Sequence, residues 1–139
     1  MTDDAGTATA AAAAQGDDVV ELRLPADGAY LSVLRTATAG LAARLDFTLD
    51  EIEDLRIAVD EACALLLPDA VPGAPMTCLF AVRDHSLAVT VRVPSRTGRV
   101  PQRNTFAWTV LTALAGDVDT DVAEDGTVSV TLLKHGGQA

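Results

Sequence analysis

The stretch Asp54–Pro68, DLRIAVDEACALLLP, decides how this chain folds and what chemistry it can hold. Leu55, Val59, Ala62 and Leu66 recur at steps of three and four, so the segment reads as a helix with one buried stripe. Pro68 ends the pattern, because its ring clashes with the preceding turn and it has no amide to donate. Glu61 and Leu65 lie four residues apart and share a helical face. A carboxylate and a leucine make an odd pair at the mouth of a pocket.

Just upstream, Thr48 and Glu51 form a Thr-x-x-Glu capping box, which places the start of this helix near Leu49. Asp50, Glu51, Glu53 and Asp54 crowd its first turns, where the helix dipole favours negative charge. Further back, Leu31, Leu34, Thr38, Leu41 and Leu45 mark an earlier helix over Asp27 to Leu45. Arg35 and Arg44 fall off its apolar stripe, the usual place for solvated side chains. Val19 to Leu24, VVELRL, reads as a first strand closed by Pro25. Residues 1–18, a run of Ala, Thr, Gly and Asp without amphipathic period, are expected to form a disordered tail.

Downstream, Val71 to Pro75 reads as a loop. Met76 to Arg83 and Leu87 to Val93 are β-favouring runs joined across Asp84 to Ser86, a hairpin spacing. Pro94 to Arg103 is a polar loop carrying Arg96, Arg99 and Arg103. Phe106, Val110, Leu111 and Leu114 mark a third, short helix that carries Trp108. Val118 to Val122 and Thr127 to Leu133 make a second hairpin about Glu124, Asp125 and Gly126. The order β, α, α, β, β, α, β, β predicts an α/β two-layer sandwich: a mixed, mostly antiparallel sheet of about five strands with three helices on one face. One domain over residues 19–135, followed by a short tail at 136–139, accounts for the pattern.

At 139 residues and 49% hydrophobic, the chain can bury a core without staples, and with only 4% aromatics that core must be aliphatic. Twenty acids against ten Lys and Arg give a net charge of -10, which argues against a surface that binds nucleic acid through phosphates and suits a basic partner. No run approaches the ~18 apolar residues of a membrane span, and the opening MTDDAG is acidic where a secretory signal is basic. A cytoplasmic protein is expected. Cys63 and Cys78 sit in apolar patterns, as buried thiols or as a redox-switched pair. They have no metal-ligand spacing, His85 and His135 are solitary, and no metal site is expected.

The run LDFTLDEIEDLRIAVDEAC, with FAWTVLTALAGDV and DGTVSVTLLKH near the C-terminus, resembles the bacterial anti-sigma factor serine kinases of the RsbW type, within the GHKL ATPase superfamily. The likeness covers nearly all of the chain after the tail and leans toward the actinobacterial anti-sigma factors of stress and sporulation sigma factors. It implies the same two-layer sandwich, the Bergerat or GHKL-like ATPase fold. In such kinases an E-x-x-x-N helix supplies a general base and a magnesium ligand. Here that register reads Glu61 to Leu65, so the base is present and the ligand is replaced by a side chain with no oxygen for a hard cation.

The family's D-x-G-x-G, whose Asp receives the adenine amino group, falls on Val93, Ser95 and Thr97, or one residue later on Pro94, Arg96 and Gly98. Neither register has the Asp. The glycines that end the ATP lid fall on Thr105 and Ala107, and the lid itself is cut to about ten residues. Only Gly126 and Thr127, the last motif, are kept.

Four losses of groups with distinct roles imply that neither ATP nor Mg is bound and that Glu61 is a vestigial base; a helix-surface carboxylate is the bland reading of it. The resemblance then implies an anti-sigma factor that sequesters a sigma factor, is released by an anti-anti-sigma protein with a STAS domain, and forms a homodimer, with no direct contact to nucleic acid or membrane. The alternative is an active serine/threonine kinase that uses ATP-Mg to phosphorylate its antagonist. The family's partner-contacting arginine on the first helix falls on Arg35. Glu51 and Asp54 are further contact candidates, or merely capped and solvated turns. Arg96, Arg99 and Arg103 either form an anion site, the mark of a nucleotide or second-messenger sensor, or are solvated.

Overall fold

In the computed structural model, which describes residues 18–137, strand β1 (Asp18–Pro25) leads through a 3-10 turn at Gly28–Tyr30 into helix α1 (Leu31–Arg44) and then α2 (Leu49–Leu66). Strands β2 (Pro75–Arg83) and β3 (Ser86–Pro94) follow as a hairpin, then helix α3 (Phe106–Leu114) and the hairpin of β4 (Asp117–Val122) with β5 (Thr127–His135). The predicted order of elements is observed. Of the predicted tail, Asp18 opens β1, and residues 1–17 lie outside the described residues, as do 138–139 of the C-terminal tail.

Sheet order is β1-β2-β3-β5-β4, and every neighbouring pair is antiparallel. The connection through α3 carries the chain to the far edge, where β4 lies. Its hairpin partner β5 then returns between β4 and β3, opposed to both, so no parallel pair arises among the described strands.

Alternation along the strands separates two faces. Met76, Cys78 and Phe80 of β2, Leu87, Val89, Val91 and Val93 of β3, and Val128, Val130 and Leu132 of β5 are buried beneath the helices. From α2, Leu55, Ala58, Val59, Ala62 and Cys63 meet them at 0% exposure. Each such leucine or valine contributes about 1.5–3 kcal/mol relative to an exposed one. Among the described residues, no helix covers the opposite face, with Glu21, Arg23, Thr77, Arg92 and Thr131.

Helix α2 starts as its capping box requires. Glu51 N donates to Thr48 Oγ1 at 3.1 Å and Thr48 N donates to Glu51 Oε1 at 2.7 Å. In α1, Leu34 and Thr38 are buried as the stripe predicts, and the Thr38 hydroxyl is satisfied by Leu34 O at 2.8 Å.

The buried stripe of α3 differs from the expected one. Phe106 is 83% exposed, while Trp108, Leu111 and Ala115 are buried. Thr105 caps the helix by accepting from Trp108 N at 3.1 Å, which turns Phe106 at the first position outward. An apolar residue in the first turn fits the three-to-four spacing whichever way it points, so spacing marks the helix without saying which side of it faces the core.

Candidate functional site

Capping and the apolar stripe fix the roll of α2 on the sheet, and that roll sets where Glu61 and Leu65 go. Glu61 is half-buried, and none of the described hydrogen bonds or ion pairs involves it. Leu65 is half-buried and packs against the core cluster. The position from which a magnesium ligand would reach out therefore belongs to the hydrophobic layer. No group of three or more His, Cys, Asp or Glu able to hold a metal occurs among the described residues.

The degenerate adenine motif is equally apolar or self-satisfied. Val93 is 0% exposed among the residues facing the helices, where a carboxylate would be needed. Ser95 accepts from Thr97 N and Gly98 N at 3.2 and 3.1 Å, closing a tight turn. This turn is tied to the end of α2. Arg96 N donates to Asp69 O at 2.7 Å, the Arg96 guanidinium to Pro68 O at 3.0 Å, and Thr97 Oγ1 to Asp69 Oδ2 at 3.3 Å.

A third element joins them, since Ser95 N donates to Gly126 O at 3.2 Å. Gly126 has φ +90, which suits glycine, and the following Thr127 N is held by Asp125 Oδ1 at 2.9 Å. That hydrogen bond holds the Asp125 carboxyl below its ordinary range. The segments that would line a nucleotide are thus stitched to one another by the protein's own groups.

The shortened lid is anchored too. Thr105 is the cap of α3 and Ala107 lies in its first turn, half-buried. Arg103 lies over the Trp108 ring at 4.8 Å from its centroid, a cation–π contact. With Arg96 on Pro68 O and Arg103 on Trp108, two of the three loop arginines are engaged within the chain. A recess of about 340 Å³ lies elsewhere, on the helix-free face of the sheet, between Glu21, Arg23, Thr77, Arg92 and Thr127.

The partner-contact candidates separate. Glu51 is committed to the helix cap and also accepts from Gly137 N; the Thr48 amide is the main reason its carboxyl sits below the usual range. Asp54 faces Lys134 Nζ at 3.9 Å, and that ammonium donates to Leu114 O at 2.9 Å. Arg35 lies on the α1 surface and donates from Nε to Asp60 Oδ1 at 3.0 Å, a partner 25 residues away that no local pattern signals. Cys63 and Cys78 are free and buried. Burial pushes both thiols up, Cys78 to about 12, so neither is poised to react.

An antiparallel sheet under three helices, with Glu61 on α2 in none of the described hydrogen bonds or ion pairs and Leu65 packed into the core, has the architecture of a GHKL-like sandwich. Comparison with known proteins places it further. The chain is 36% identical over 106 residues to the anti-sigma-F factor RsbW of Mycobacterium tuberculosis, a match covering 76% of this chain and 63% of that protein. It is 48% identical over 77 residues to the serine-protein kinase RsbW of Bacillus subtilis, covering 53% of this chain and 48% of that one.

Among solved structures, that of the RsbU and RsbW domains of a Mycobacterium tuberculosis protein superposes with a TM-score of 0.65 at 14% identity, covering 85% of this chain and 32% of that chain. No family model matches. The chain is similar to the RsbW proteins and spans a little under two thirds, or less, of the length of these curated relatives.

Proposed function

We propose that this chain is an anti-sigma factor: it binds and sequesters an alternative sigma factor of the stress or sporulation type and is released by an anti-anti-sigma protein with a STAS domain, without using ATP or magnesium. The observation that carries this reading is Leu65 packed against the core, one turn after an unpartnered Glu61, on an RsbW-like fold. General-base catalysis of phosphoryl transfer needs a metal-held phosphate as well as a carboxylate. Glu61 is then the remnant of a base, and Arg35 on α1 is the main partner contact.

Release follows from competition between the two partners for one surface, set by their affinities and concentrations. A homodimer is part of the reading. The second reading, a kinase acting on the antagonist, draws on the relatives named serine-protein kinases and keeps Glu61 as its one catalytic group.

Co-purification from a lysate of the source organism tests the proposal. A sigma factor should be recovered with the chain and lost with Arg35→Glu, whose circular dichroism should remain that of the folded protein. Recovery of no sigma factor would count against the reading.

A further inference from the structure

Helix α1 meets α2 through an ion pair whose acid, Asp60, immediately precedes Glu61. Arg35 Nε donates to Asp60 Oδ1 at 3.0 Å, with the two side chains 36% and 39% exposed. A pair this open is screened by solvent and adds little to stability. It does remove rotamers from a long side chain, and a single bond through Nε leaves the two terminal nitrogens, Nη1 and Nη2, for other acceptors.

We propose that Asp60 is a positioning residue for partner binding: it holds Arg35 in the conformation from which Nη1 and Nη2 engage the sigma factor. The proposal rests on the reading of Arg35 as a contact. Ordering a rotamer-rich side chain before association lowers the cost of binding, which for one arginine corresponds to about three- to tenfold in affinity. Asp60→Asn keeps an oxygen acceptor where Oδ1 is and removes the charge, whereas Asp60→Ala removes both. Positioning therefore separates the two variants, and a field effect of the carboxylate moves them alike.

Two measurements on the full chain decide it. The heteronuclear NOE of the Arg35 Nε–Hε pair should report an ordered side chain in the wild type and in D60N, and a mobile one in D60A. The dissociation constant for the sigma factor that co-purifies with the wild-type chain should weaken about three- to tenfold in D60A and stay near the wild-type value in D60N. Adding D60A to R35A should cost nothing further. A mobile Arg35 in the wild type, equal affinities of D60N and D60A, or D60A binding as tightly as wild type would each overturn the proposal. If R35A binds as well as wild type, positioning falls and the anti-sigma reading stands; if the wild type binds no sigma factor, both fall.

Discussion

Leu65 carries the sharpest consequence at the scale of single residues. Replacing it by Asn restores the type of side chain that would hold magnesium, yet sets an amide against an apolar layer, and should cost about 1–3 kcal/mol in denaturant unfolding. Calorimetry of Leu65→Asn with ATP-Mg should still show no binding, because Val93 offers no acceptor to adenine and Thr105 is occupied as a cap. Binding gained by this one substitution would mean that the remaining losses are not disabling.

Glu51 makes a prediction about pH. Its folded-state pKa is lowered from 4.5, so its contribution to stability is fully present above that ordinary value and is lost as the pH falls below it, through the lowered folded value. Glu51→Gln should flatten the acid limb of stability against pH in that window, and an unchanged limb would show that the cap contributes nothing there. The partnership of Thr48 and Glu51 was legible in the sequence because a capping box is local, three residues long and set by backbone geometry. The pairing of Arg35 with Asp60 was not, because it depends on how two helices pack.

At the scale of elements, α3 distinguishes what spacing can and cannot say. Its existence and limits followed from apolar residues at helical steps, but which of them face the core depends on the cap. Trp108→Ala should cost about 3–5 kcal/mol, as for an aromatic lost from a core. Phe106→Ala should change stability by less than about 0.5 kcal/mol, as for an exposed site. Equal losses in thermal unfolding would contradict the observed roll of α3. The hairpins were read correctly because each combines two β-favouring runs with a short turn. The clamp among Asp69, Ser95, Arg96, Thr97 and Gly126 was invisible in the sequence, since it joins three segments whose approach depends on the packing.

On the scale of the whole molecule, the end of α2, the loop after β3 and the β4–β5 turn are hydrogen-bonded to one another. The core extends through Val93 and Leu65 to where a ligand's polar groups would lie, and the loop after β3 is fastened to the end of α2. Where the chain departs from the E-x-x-x-N and D-x-G-x-G patterns is read from the residues themselves, but the contacts made by Leu65, Ser95 and Thr105 are not, because they depend on how segments pack.

Nucleotide dependence of sigma-factor binding is the most direct test of this account. The affinity of the purified chain for its co-purifying sigma factor should be the same with saturating ATP-Mg as with all nucleotide and metal removed by chelation and desalting. Binding that appears or strengthens only with ATP-Mg would contradict it.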